Sequence, residues 1–89
     1  MLDENEVRER LEREAIPNVD HYDVSLRPDS TGEDAAYIYV IVPDEFAKAT
    51  DFFERAHLID NRIFDLFDKE FPGYWPYIKF RALSELASI

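Results

Sequence analysis

The stretch Ala35-Ala36-Tyr37-Ile38-Tyr39-Val40-Ile41-Val42, bounded by Asp34 and Pro43, constrains this chain more than any other. At a side-chain repeat of two, Ala36, Ile38, Val40 and Val42 form a purely aliphatic face. Tyr37, Tyr39 and Ile41 form an amphipathic one. A strand apolar on both sides belongs in the interior of a sheet, so the run predicts a central strand. It is also the longest apolar run in the chain, and it is far shorter than the ~20 residues that span a bilayer as a helix.

The preceding segment supplies a partner. From Asp20 to Pro28, Tyr22, Val24 and Leu26 alternate with His21, Asp23, Ser25 and Arg27. Pro28-Asp29-Ser30-Thr31-Gly32-Glu33 then carries turn residues, with Gly32 free to take positive φ. A hairpin with Leu26 opposite Ala36, Val24 opposite Ile38 and Tyr22 opposite Val40 gathers the aliphatic groups on one face. Slipping by one residue would bury the polar set instead, so the register is well specified.

Helical patterns lie on either side of the hairpin. Asp3 to Ala15 predicts a helix capped by Asp3, with Glu6 completing an Asp-x-x-Glu box. Glu4–Arg8, Glu6–Arg10 and Glu9–Arg13 are spaced as i,i+4 pairs, and Pro17 stops the helix. After Pro43-Asp44, a wide apolar arc from Phe46 to Phe71 predicts a long core helix ended by Pro72-Gly73, with Thr50 as a candidate second N-cap. Asp60 projects within that arc. Trp75 to Leu83 alternates as a last strand, with Ile78, Phe80 and Ala82 against Tyr77, Lys79 and Arg81. Pro76 suits a strand start or an edge.

The expected fold is therefore α+β. It is a two-layer sandwich of order α-β-β-α-β, with a three-stranded mixed sheet and both helices on one face. Right-handed crossover sets the last strand parallel to the central one. The expected domain is single and spans residues 1–89, with 84–89 an unplaced tail free to flex. A content of 46% hydrophobic and 15% aromatic residues supports one modest core in 89 residues. The chain has no cysteine, which excludes disulfides and thiol chemistry and fits a reducing cytoplasm. Its opening Met-Leu-Asp-Glu lacks a basic n-region and an apolar core, so no signal peptide is expected. Twenty acidic against ten basic residues leave a net charge of −10, a field that repels nucleic acids and anionic membranes.

In outline the order resembles a split βαβ, ferredoxin-like fold lacking its first strand. The slot between the two parallel strands would then either close up or accept a partner's strand. It also resembles the type II K-homology fold, in which a Gly-x-x-Gly loop between two core helices clamps RNA. The corresponding stretch here, Ala47 to Asp60, contains no glycine. Phe71-Pro72-Gly73 is similar to the turn before the final strand in the cytoplasmic domain of cation-efflux transporters, a likeness that implies a metal-responsive regulatory domain. Trp75-Pro76-Tyr77-Ile78-Lys79-Phe80-Arg81-Ala82-Leu83-Ser84-Glu85 resembles the ending of small prokaryotic proteins of unassigned function. Some of those are encoded beside toxin–antitoxin-type genes. That likeness implies a protein partner and carries over no active-site residue.

Chemistry-bearing residues are few. His57-x-x-Asp60 places two metal-ligand types one helical turn apart, but a catalytic zinc needs three protein ligands and a structural one four. No nucleophile elbow, phosphate loop or other cofactor motif is present, so no catalytic residue and no cofactor is assigned. The remaining feature is the second face of the sheet, where Arg27, Tyr37, Tyr39, Ile41, Tyr77, Lys79 and Arg81 combine aromatic and basic groups enriched in protein contacts. The expected function is a non-enzymatic interaction module. Its partner would be a second copy or the product of a neighbouring gene.

Overall fold

The computed structural model describes residues 2–86. Asp3, in extended backbone, accepts a hydrogen bond from the Asn5 N–H (3.1 Å) and starts helix α1, Glu4–Arg13. Val7 and Leu11, one turn apart, are its buried stripe. The helix ends two residues short of the expected Ala15, which takes a left-handed turn (φ 52°) before Pro17.

The expected ion pairs within α1 do not form among the described residues. Arg8 bonds Asn5 Oδ1, and Arg10 reaches across to Glu70 (Nε–Oε2 2.7 Å) as well as to Glu14. Glu4 turns the other way and accepts the Leu26 N–H (2.8 Å). For Arg10 and Glu4 a tertiary partner takes the place of the expected local one, whereas Arg8 finds a different partner on its own helix. The outer rim of an edge strand thereby gains a side-chain acceptor where water or another chain would otherwise bind.

Strands β1 (His21–Pro28) and β2 (Asp34–Val42) pair antiparallel, with Leu26 opposite Ala36, Val24 opposite Ile38 and Tyr22 opposite Val40. The register follows the alternation and the turn together. Asp29 Oδ1 accepts from Thr31 N, Thr31 Oγ1 and Glu33 N, and Gly32 takes φ 86°. Strand β3 (Trp75–Ala82) lies parallel to β2, giving the order β1-β2-β3 with β2 central. Tyr37 faces Tyr77 and Val40 faces Phe80. The slot between the parallel strands is thus closed, because β2 and β3 bond directly.

The long helix is two helices. Asp44–Ala47 forms the short α2 and Phe52–Glu70 the main α3. The N-cap is Asp51, one residue past the Thr50 that the sequence suggested. The break has a packing cause. In an unbroken helix Phe46 and Phe52 would point roughly 120° apart at 100° per residue. Interrupting the helix brings both rings together, edge to face at 5.6 Å, and Phe52 then meets Phe80 at 5.8 Å.

Val7 and Leu11 from α1 and Ile59, Ile63, Leu66 and Phe67 from α3 close over Ala36, Ile38, Val40 and Val42. Both principal helices therefore lie on one face, and the architecture is the two-layer α+β sandwich. β3 ends at Ala82, and Leu83–Leu86 form a single helical turn, α4, rather than strand and tail. Glu85 bonds the Ala82 N–H (2.9 Å) and Asp44 bonds the Ser84 N–H (3.0 Å), which ties the turn to the start of α2. Residues 87–89, the rest of the expected tail, lie outside the described residues.

Candidate functional site

The face of the sheet turned away from α1 and α3 is built in four rows across the strands. The register gives Arg27–Ala35–Trp75, Ser25–Tyr37–Tyr77, Asp23–Tyr39–Lys79 and His21–Ile41–Arg81. Period two alone puts these side chains together, since each is an odd-numbered neighbour of a core residue.

Within a row and between adjacent rows the side chains roof one another. Tyr37 and Tyr77 stack at 5.1 Å with planes 15° apart. The Arg27 guanidinium lies over the Tyr37 ring at 3.8 Å, and that of Arg81 over Tyr39 at 4.5 Å. These cation–π contacts cover the tyrosines without neutralising the arginines. Tyr77 donates its hydroxyl to Asp29 Oδ2 (3.0 Å). The bonds from Thr31, with that from Tyr77, hold the Asp29 carboxyl below its usual range, while the Asp29 contact pushes the Tyr77 phenol up. Asp29 is therefore a fixed anion beside the stacked pair.

Of the seven residues expected on this face, Arg27, Tyr77 and Lys79 are exposed, and Tyr37, Tyr39 and Arg81 are half-buried. Ile41 differs: it shares the face by register but is 0% exposed. It sits in the central lane of the sheet between His21 and Arg81, and its carbonyl accepts the Asp20 N–H (2.7 Å). It offers no area to a partner.

Trp75 was missed. It stands in the same row parity as Tyr77 and is 56% exposed, and its ring meets Phe64 of α3 edge to face at 5.4 Å. Its odd-numbered position in the last strand was the available signal. Around it, the β1–β2 turn and the 71–74 turn enclose a concavity of about 500 Å³. Leu58, unassigned from sequence, lines a second concavity with Ile16, Pro17 and Phe46.

His57 is exposed and Asp60 half-buried on α3. Burial pushes the Asp60 carboxyl up, opposed by His57, and its Oδ1 has no hydrogen-bond partner among the described residues. Among the described residues no three His, Cys, Asp or Glu side chains gather as a metal-holding group, so the pair lacks a third ligand. Tyr22 is the other buried group of this kind. Burial raises its phenol to about 12, and its hydroxyl likewise has no hydrogen-bond partner among the described residues.

Among the described residues no helix is long and apolar enough to cross a membrane. No family model, curated protein or solved structure matches the chain.

Proposed function

We propose that this chain is a non-enzymatic interaction module that docks a protein partner on the open face of its sheet. The partner is a second copy or a neighbouring gene's product. The observation that carries this is the exposed Trp75–Tyr77 step, 56% and 39% exposed, set beside the stacked Tyr37 and the arginines. Tryptophan, tyrosine and arginine are the residues that anchor protein contacts, because each offers a large rigid apolar surface with a polar tip. The face also concentrates Arg27, Lys79 and Arg81 in a molecule of net charge −10, so it complements an acidic surface. A cysteine-free chain suits such a role in a reducing cytoplasm.

The test is sedimentation of the protein over a concentration series, alone and as purified from its native host. The unaltered protein should run as a dimer or carry a stoichiometric partner, and Tyr39→Glu with Lys79→Glu should give a folded monomer. Ile41 is left intact because it is buried. A monomer at high micromolar concentration with no partner, or a double variant that still associates, overturns the reading.

A further inference from the structure

The concavity at the Pro72-Gly73 end of the sheet has a chemistry of its own. Six large apolar side chains are exposed among the described residues, and three of them, Phe64, Trp75 and Tyr77, line this one hollow. The other three, Phe53, Leu58 and Leu83, are not part of it. Aromatic walls alone would suit any apolar guest. Here the rim is anionic: Asp29, Glu33, Asp34 and Asp68 line it as well.

No lysine, arginine or histidine among the described residues lines the hollow. The ion pairs of the described residues are Arg10 with Glu14 and Glu70, His21 with Asp20, and Arg55 with Asp51, so none neutralises these four carboxylates. Asp29 is held in place by the Tyr77 hydroxyl and by Thr31, which keeps it ionised. An aromatic hollow whose rim carries one fixed anion, Asp29, and three further carboxylates without an ion-pair partner among the described residues favours a flat, weakly hydrated cation, which can stack on a ring while its edge donates to carboxylates. The molecule uses the stacking half of this arrangement three times internally. Arg27, Arg55 and Arg81 lie 3.8, 4.6 and 4.5 Å from the centres of Tyr37, Phe46 and Tyr39.

We infer that this hollow receives an arginine side chain from a basic segment of a partner protein, stacked on Trp75 and paired with Asp34 and Asp68. The site is distinct from the open-face contact, which calls for an acidic partner surface. The two share only the Trp75–Tyr77 step.

The chain's single tryptophan supplies the readout. A blocked Gly-Arg-Gly-Arg-Gly peptide is titrated into the protein while Trp75 fluorescence is followed, beside peptides with citrulline or lysine replacing arginine. The arginine peptide should saturate, weaken with added salt, and bind about tenfold more tightly than either replacement. Asp34→Asn with Asp68→Asn, checked for folding by circular dichroism, should lose about tenfold in affinity. Glu45→Gln with Glu54→Gln removes two charges outside the hollow and should leave affinity unchanged, which separates a local site from general attraction to an acidic protein. The open-face variant Tyr39→Glu with Lys79→Glu should bind the peptide normally, so the two proposals fail separately. The inference is overturned by an absent or unsaturable response. It is equally overturned if citrulline or lysine binds as well as arginine, or if the two paired acid variants behave alike.

Discussion

The two faces of strand β2 are closed by different means. On one, Ala36, Ile38, Val40 and Val42 are buried under side chains from α1 and α3, far away in sequence. On the other, Ala35 and Ile41 are just as buried, and Tyr37 and Tyr39 half so, beneath lateral neighbours from β1 and β3. The covered side hides a cost. Among the described residues, the two buried polar side-chain atoms without partners, Tyr22 Oη and Asp60 Oδ1, belong to the helix-covered face and the helix layer. On the open face the rings of Tyr37 and Tyr39 are roofed by Arg27 and Arg81, while Tyr77 stays exposed. A sheet can thus keep its backbone dry with long amphipathic side chains, and the surface so formed remains available to a partner.

The sharpest way to break this comparison is to place a charge on each face of β2. Val40→Asp buries a carboxylate among apolar groups, which costs several kcal/mol and rivals the whole stability of a small domain. It should unfold the chain. Tyr39→Glu, one residue away, should leave a cooperative thermal transition. Equal damage from both would mean that the open face is as closed as the covered one.

Ile41→Ala examines the exception on the open side. Lateral burial as complete as core burial predicts a loss of about 2–5 kcal/mol in urea melts, the range for a core isoleucine. A loss below about 0.5 kcal/mol, usual for surface sites, would show that the cover over Ile41 opens readily in solution.

Asp60 gives a smaller effect with a defined pH dependence. Its folded-state carboxyl is raised above the usual 3.8, chiefly by burial, so the neutral form suits the fold. Its contribution to stability is full below that usual value and is lost as pH rises through the raised one. Asp60→Asn should therefore be more stable than the unaltered chain at pH 7, with the advantage vanishing below about pH 3.8. Melts that show the advantage growing on acidification would contradict the assignment.

Tyr22→Phe should be the mildest change, within about 1 kcal/mol of neutral and towards stabilisation, because it removes a buried hydroxyl that has no partner among the described residues. A loss of 2 kcal/mol or more would show that the hydroxyl is bonded, and the covered face would then carry one fewer polar defect.

The hairpin register, the central place of Ala35–Val42, the parallel last strand and the membership of each face were all legible in the residues. Each rests on short-range rules: alternation at period two, turn residues at 28–33, and a handed crossover. The features decided in three dimensions each involve contacts between different elements of the fold. Arg10 had Glu6 within reach on its own helix and bonded Glu70 instead. The helix broke at 48–51 so that Phe46 and Phe52 could meet. Ile41 looked exposed by parity and is buried by its place between two neighbouring strands. Trp75 gained its meaning from Phe64 and from two turns that converge on it. Periodicity tells which way a side chain points, but burial and partnership depend on what the rest of the chain brings to that side, and only packing settles that.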